Sequence, residues 1–568
     1  MKIKNFHLIL IILYILMILV STQFFFDDLA FDYSGYALRY NSFFDGWTQK
    51  QHLGIPTGTF DPILPGILPF IIKLIGIGSF TIPLTISILI IRMIFPFVFI
   101  YLAKPFGFDK KISFFLGIIF VFNPILFKFF NRFYEFTAWL FFVMAFASFY
   151  VFLKEKKFSK KYFAFSVLFV CLTALSHVSA LMFIGISFGL LVESKEEIKK
   201  LLGVGILSFG IMAFWLVPFF SFLNLSILEN QKGMLLTSKG IVFSGIFLAA
   251  ALVLFLFLFR KLKSKYSKIN RLIFGSLVLA TTVVAFPLLP LIEKAFAHSY
   301  HVFFIFVLIL AFLVLIKENV IKKSHLTILG ITLVIAVLFT FPIVERQYFF
   351  DEPRLKDYGI EKINPLIEQV PENSRFELLP YNPIIHSFAA LKYKKLSLNG
   401  WGYNGYTLKE SNEIGSKMVS MNLSCEKFIE GIKKTATNYW IVMDENGEKY
   451  VKKCGLKEKS EKKEFPKLYY YEKFSPLVEN GKLIEFSEKK VVIDSFGGNV
   501  LLKQSFFPRW NAYQNGKKLQ VLNAKPGIEI IETKKGLIEL KYENSFQDWI
   551  GIIITIISVS AFILVLKK

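Results

Sequence analysis

Charge is scarce in this sequence, and the scarcity sets its solvent. Asp, Glu, Lys and Arg make up 19% of the 568 residues against 54% hydrophobic ones. That is too little charge to cover a soluble protein of this length, so a second, apolar solvent is implied. Acidic residues are scarcer still, 42 against 66 basic ones, for a formal charge of +24. Such an excess can point to nucleic acid, but the lysines of the first 342 residues stand in short runs between apolar stretches, where they orient helices in a bilayer. Nucleic acid is therefore excluded as a partner. Cysteine is nearly absent: Cys171 lies in an apolar segment, and Cys425 and Cys454 in the polar C-terminal region, where a disulfide needs a location outside the cytoplasm. The P-loop, HExxH, Cys-x-x-Cys and GxSxG patterns are missing too, which argues against an ATP or nucleotide-sugar site in a soluble domain.

Long apolar segments are abundant. The first, 6–26, follows Met-Lys-Ile-Lys and has no small-residue cleavage site after it, so it reads as a retained transmembrane helix rather than a signal peptide. Further segments at 80–103, 112–127, 137–153, 162–177, 178–192, 201–223, 241–259, 272–291, 302–316, 326–342 and 547–566 make about twelve spans. With the N-terminus inside, the cytoplasmic loops hold 24 Lys and Arg and the short external loops 27–79, 128–136, 224–240 and 292–301 hold 8. That threefold asymmetry places both termini in the cytoplasm of a multi-pass plasma (inner) membrane protein. The expected organisation is a multi-span region 1–342, an extracytoplasmic α/β domain 343–546 and a last transmembrane helix 547–568. Within the external loop 27–79, the apolar stretch 63–75 is too short to span and reads as an interfacial helix.

In the external domain, 361–369 and 424–434 look helical. Strand-like runs are Tyr439–Met443, Lys467–Lys473, Lys489–Ser495, Asn499–Gln504, Lys518–Asn523 and Leu537–Tyr542, with Asn515-Gly516 and Pro526-Gly527 as turns. An antiparallel sheet or sandwich is expected, running into the final helix.

Chemistry should lie where ionisable groups meet the outer ends of the spans. Asp27 and Asp28 stand at the C-terminal, negative end of the first span, where the helix dipole repels carboxylates, so they do not serve that helix. Asp28 or the nearby Asp32 could instead cap the following stretch. In the next external turn Arg132 and Glu135 lie three apart. They read either as a local ion pair of small value or as a phosphate clamp and a hydroxyl or metal ligand. His177 sits at an outer hairpin, where a lone histidine is more often packed than catalytic. Glu293, His298, Tyr300 and His301 share one more external turn, with a surface location as the plain reading. Arg92, deep in a span, must face the bundle interior.

These residues resemble a known family. A first span ending in Asp27-Asp28-Leu29, a long outer loop with an interfacial helix, many further spans and a terminal external domain are similar to the GT-C superfamily of membrane glycosyltransferases. That family uses an acidic motif, DDx among its forms, in the first external loop. Glu135 stands where a second acidic residue often lies, and Asn123-Pro124 through Arg132 is similar to an Asn-Pro…Arg pattern of prokaryotic members, with Tyr134-Glu135 where a glycine-histidine pair is common. Ser505-Phe506-Phe507-Pro508-Arg509-Trp510-Asn511-Ala512-Tyr513-Gln514-Asn515-Gly516 resembles the Tyr-Tyr-Pro-Gly-Trp hairpin of YfhO-type membrane proteins, with Arg509 in the glycine's place.

The resemblance implies an inverting transfer of sugar from a polyprenyl-phosphate donor, entering from the bilayer, to an envelope glycan, lipid or protein. Asp27 or Asp28 would be the base, and Asp32, Arg132, Glu135, His177, His298 and His301 would bind substrate. A divalent cation (Mg or Mn) would use Asp28 and Glu135. Trp401 and Trp510 would be exposed aromatics that either guide the acceptor or simply pack. A transporter or flippase of lipid-linked envelope components, and a non-catalytic envelope-assembly protein, are the alternatives.

Overall fold

The structure, a computed structural model, describes residues 64–75, 82–121, 133–226, 267–285, 297–318, 359–399, 408–460 and 464–567, with Trp47, Thr48, Lys50, Leu53, Pro56, Thr59 and Val253 besides. The N-terminal part is helical: α1 Leu64–Leu74, α2 Ile82–Phe106, α3 Lys110–Val121, α4 Phe133–Lys154, α5 Lys160–Ser176, α6 Val178–Leu191, α7 Lys195–Ile211, α8 Ala213–Phe222, α9 Ser267–Ala285 and α10 Ala297–Lys317. Among the described residues three helices are long and apolar enough to cross a membrane: Leu89–Phe106 of α2, Thr137–Lys154 of α4 and the C-terminal helix Phe546–Lys567. The expected spans at 6–26, 241–259 and 326–342 lie outside the described residues. α1 is an 11-residue helix in the expected interfacial stretch, and Ile67, Ile71 and Leu74 on it, with Ile75 just after it, are exposed.

The basic loop residues gather at one end of the helices. Lys200 donates to the carbonyls of Phe152 and Glu155 at the end of α4, at 2.8 and 2.7 Å. Lys317 at the end of α10 donates to the Phe106 carbonyl at the end of α2. Arg271 of α9 donates to the Val192 carbonyl after α6 at 3.0 Å and pairs with Glu193 at 2.8 Å. Lys160 reaches the Lys567 carbonyl. Cations stand here against the carbonyl ends of helices, the negative pole of each. This is the lysine end. The opposite, distal end carries the remaining described chain.

One expected span is corrected. The stretch 201–223 is two helices, α7 and α8, meeting at Met212 with a bend of 75°. The cause is α16, Phe546–Lys567. Its Gly551 lies so close to α8 that an added Cβ would come 2.5 Å from the Ala213 carbonyl oxygen, and a Cβ on Gly210 would collide with Ser558. Thr555 Oγ1 accepts the Phe214 N–H at 2.9 Å, replacing a helical bond that the break removes.

Two sheets follow, of which the first is mixed. α11 Ile360–Glu368, β1 Arg375–Leu379, α12 Pro383–Lys392, β2 Leu396–Ser397, α13 Lys409–Val419, α14 Cys425–Thr435, β3 Tyr439–Val442, α15 Glu445–Lys453, β4 Lys457–Glu458 and β5 Lys467–Tyr470 build a sheet of order β2-β1-β3-β5-β4. β1, β2 and β3 are parallel, as connections through helices require, and the sheet becomes antiparallel at β5. A disulfide joins Cys425 at the start of α14 to Cys454 after α15. The second sheet is antiparallel: β6 Val478–Glu479, β7 Gly481–Phe486, β8 Lys490–Leu502, β9 Trp510–Gln514, β10 Lys517–Leu519, β11 Val521–Asn523 and β12 Ile528–Tyr542. Its order is β10-β9-β12-β8-β6, with β11 on β12 and β7 on β8. Asn515 and Gly516, both at positive φ, form the expected two-residue turn of the β9–β10 hairpin. β12 leads directly into α16, which sets the second sheet at the distal end.

Candidate functional site at the distal end

Asp27, Asp28, Asp32 and Arg132 lie outside the described residues. The other nominated positions can be placed along the chain. Glu135 is the third residue of α4, and α4 ends at Lys154, so Glu135 stands at the distal end. His298 and His301 begin α10, whose other end is Lys317, and they share that end. His177 is the corner between α5 and α6. Its backbone is extended (φ −165°, ψ 119°), its N–H donates to the Thr173 carbonyl at 3.0 Å, and its carbonyl accepts from Ala180. It is buried. α6 packs against α4, α5 and α10. The backbone thus brings the starts of α4 and α10 and the α5–α6 corner to one end of one bundle. Arg92 is buried within α2, about 18 Å along the helix from Lys104.

What the sequence did not nominate stands beside them. Arg509, between the two strands β8 and β9, forks its Nε and Nη2 onto the Asp548 carboxylate, with Nε to Oδ2 at 2.9 Å. Its Nη1 donates to Thr59 Oγ1 at 2.7 Å. The guanidinium lies 5.8 to 6.0 Å from the ring centres of Tyr542, Phe507 and Phe222, the last being the end of α8. Asp548 also accepts from the Ser545 N–H and hydroxyl, at 2.7 and 2.6 Å, and so caps the start of α16. Burial pushes the neighbouring Tyr542 hydroxyl up to about 12, so it stays a neutral phenol beside the ion pair.

Trp47, from the loop 27–79, is fully buried against Tyr542, Trp510 and Phe507, with ring centres 5.4, 5.6 and 6.2 Å away. Trp510 is therefore a core residue and not an exposed acceptor contact; Trp401 lies outside the described residues. Farther along the same loop, the Lys50 carbonyl accepts the Ser397 N–H at 2.9 Å and the Leu53 carbonyl accepts the Ser505 N–H at 2.8 Å. Lys50 also pairs with Glu488 at 3.3 Å. Leu53 is buried in the core of the first sheet with Trp440 and Phe428. Lys50 and Leu53 lie in the seam between the two sheets. One sequence signal pointed here: a charged residue at 509 inside the aromatic run Phe506-Phe507-Pro508-Arg509-Trp510.

Inside the first sheet, Glu377 is fully buried. It accepts from the Asn399 N–H at 2.9 Å, the Asn399 amide at 2.8 Å and its neighbour Leu378, and faces His386 Nε2 at 2.6 Å. Among the described residues no group of three or more His, Cys, Asp or Glu side chains is placed to hold a metal ion.

No family model and no curated protein matches the chain by sequence. Its fold does have counterparts. The cryo-EM structure of the arabinofuranosyltransferase AftD from Mycobacteria matches over 96% of this chain and 57% of that one, with TM-score 0.50 and 9% identity. The chain thus spans a little over half the length of that protein. The apo crystal structure of the Archaeoglobus fulgidus oligosaccharyltransferase matches over 78% of this chain and 70% of that one, with TM-score 0.48 and 11% identity. At such identities the likeness is one of fold alone: the chain folds like the arabinofuranosyltransferase structure, and it carries apolar helices long enough to cross a membrane.

Proposed function

We propose that the chain is a membrane glycosyltransferase that moves a sugar from a polyprenyl-phosphate donor to an envelope glycan, lipid or protein on the non-cytoplasmic face. The observation that carries this reading is the likeness of fold to a glycosyltransferase across 96% of the chain. The gathering of basic residues at one end supports the orientation, with the lysine end cytoplasmic and the distal end outside. A disulfide in the distal domain fits an oxidising compartment.

In the proposed reaction Asp28, with Asp27 beside it, takes the proton of an acceptor hydroxyl as its oxygen attacks the anomeric carbon. The bond from that carbon to the phosphate oxygen breaks with inversion, and the electron pair leaves on the polyprenyl phosphate. Arg132 grips the phosphate oxygens in its planar fork. Asp32, Glu135, His177, His298 and His301 line the substrate around it. Asp28 and Glu135 are the carboxylates that would hold a divalent cation through oxygen ligands.

Replacing Asp28 with Ala tests the mechanism. Sugar transfer from a lipid-phosphate donor should vanish while the folded protein is recovered in normal amount; a variant that still transfers sugar removes this mechanism. The α7–α8 break favours a second reading, since transporters build their sites at broken helices. It lies about 25 Å along α7 from the lysine end, however, well past the midplane where such sites form. Movement of an unaltered lipid-linked substrate across proteoliposomes would establish that second reading.

A further inference from the structure

An external loop of about fifty residues would ordinarily be free to move, because ordering each residue costs conformational entropy. This one is fastened at four residues between 47 and 59 to parts of the chain some 350 to 500 residues away. Trp47 is sunk among Phe507, Trp510 and Tyr542. Lys50 and Leu53 supply the acceptors for the Ser397 and Ser505 amides, one bordering each sheet. Thr59, almost fully buried, receives the third arm of Arg509.

The chemistry of Arg509 suits it to hold two partners. Two of its nitrogens are used on Asp548, and the third points away from that carboxylate toward Thr59. Ser545 engages only Oδ2 of Asp548, so the guanidinium completes that carboxylate at Oδ1 and still has a nitrogen left for Thr59. A lysine ammonium, a single point of charge, has no fork with which to grip the carboxylate and reach the Thr59 hydroxyl together.

We infer that Arg509 is a positioning residue: by holding Thr59 against the first turn of α16 it locks the loop at Trp47, Lys50, Leu53 and Thr59 to both sheets, so that these anchor points and the C-terminal domain act as one body above the distal helix ends. The catalytic consequence rests on the glycosyltransferase reading. An acceptor held by the domain would be carried with the loop that bears Asp27 and Asp28, and productive alignment would depend on the lock.

Hydrogen exchange on the full-length protein in lipid nanodiscs tests the lock without any activity, because the Ser397 and Ser505 amides are bonded to loop carbonyls. In Thr59→Val, which leaves the Arg509–Asp548 pair in place, both amides should exchange about tenfold faster while the β8–β12 ladder keeps its protection. Arg509→Lys should do the same, and Thr59→Ser, which restores the hydroxyl, should return both amides to the wild-type rate. With a polyprenyl-phosphate sugar donor, Thr59→Val should lower kcat while donor KM stays within about twofold, and Thr59→Ser should recover it. Unchanged exchange at Ser397 and Ser505, acceleration throughout the domain, or failure of Thr59→Ser to rescue overturns the inference. A wild-type protein that transfers no sugar defeats the proposed function instead, and the exchange rates still decide the lock.

Discussion

The helical region and the C-terminal domain satisfy their buried polar groups in opposite ways. In the helices, buried hydroxyls turn back on their own helix. Ser148 donates to the Met144 carbonyl, Ser166 to Tyr162, Thr173 to Phe169, Ser176 to Leu172 and Ser276 to Leu272, all at 2.6 to 2.8 Å. Between helices, contact is largely ring on ring, as in Phe149 on Phe188 at 3.9 Å and Phe106 on Tyr150 at 4.1 Å. In the domain, buried polar groups reach far along the chain: Glu377 to Asn399, Asn438 to Ser475, Lys503 to Ser475. The contrast follows from the solvents. In lipid a polar group without a partner costs several kcal/mol, so most buried hydroxyls stay on their own helix; Ser208, donating to the Val167 carbonyl of α5, and Thr555, accepting from Phe214, are exceptions. In water a domain can leave that to tertiary structure, and its stability becomes cooperative.

The largest expected effect is therefore in the domain. Replacing Glu377 with Ala strands both Asn399 donors and leaves His386 without its facing carboxylate, at a cost of about 3–5 kcal/mol. Urea unfolding of the full chain, followed by the fluorescence of Trp440 and its neighbours, should shift by that amount while the helical signal stays. A shift under about 1 kcal/mol would mean that the network is dispensable and the contrast is overdrawn.

A smaller effect separates the regions by pH. Glu448 accepts from Lys452, Tyr469 and Lys467, and the Lys452 bond above all holds its carboxyl down to about 2. A carboxyl lowered on folding adds stability that is complete above its ordinary value of 4.5 and is lost as pH falls toward 2. Between those limits the domain of the wild type should weaken, and Glu448→Gln should flatten that acid limb. A variant whose acid limb matches the wild type would remove Glu448 from the account.

What the sequence revealed follows the same division. Lysine runs and apolar segments are local signals, so which ends of α4, α5, α7, α9 and α10 carry the basic residues is legible in the sequence. Asn515-Gly516 was equally legible, being a complete turn in two residues. The break at Met212 was not, because its cause is Gly551 and Thr555, over three hundred residues later. β1 was missed because all five of its residues are buried, Arg375 and Glu377 included, which leaves no alternation to detect. Lys489–Ser495 and Asn499–Gln504 were expected as two strands, yet Gly497 and Gly498 between them take positive φ and β8 continues through them, paired to β12 on either side. The docking of Trp47, Lys50, Leu53 and Thr59 had no local signal, since every partner lies in the last third of the chain.

The smallest expected effect is the sharpest test of the contrast. Ser166 lies buried in α5 and donates to the carbonyl of Tyr162 one turn back, an oxygen that remains within the helix's own hydrogen-bond ladder. Ser166→Ala removes a donor along with its need, leaves no buried group without a partner, and fills nearly the same space. Its cost should stay below about 1 kcal/mol, and the thermal unfolding of the helices should barely move. The same exchange at Ser475, whose hydroxyl accepts from buried Lys503 and donates to the Lys433 carbonyl, leaves a buried ammonium short of a partner and should cost more. Equal costs at the two serines would show that both regions satisfy polar groups alike, whatever their solvent.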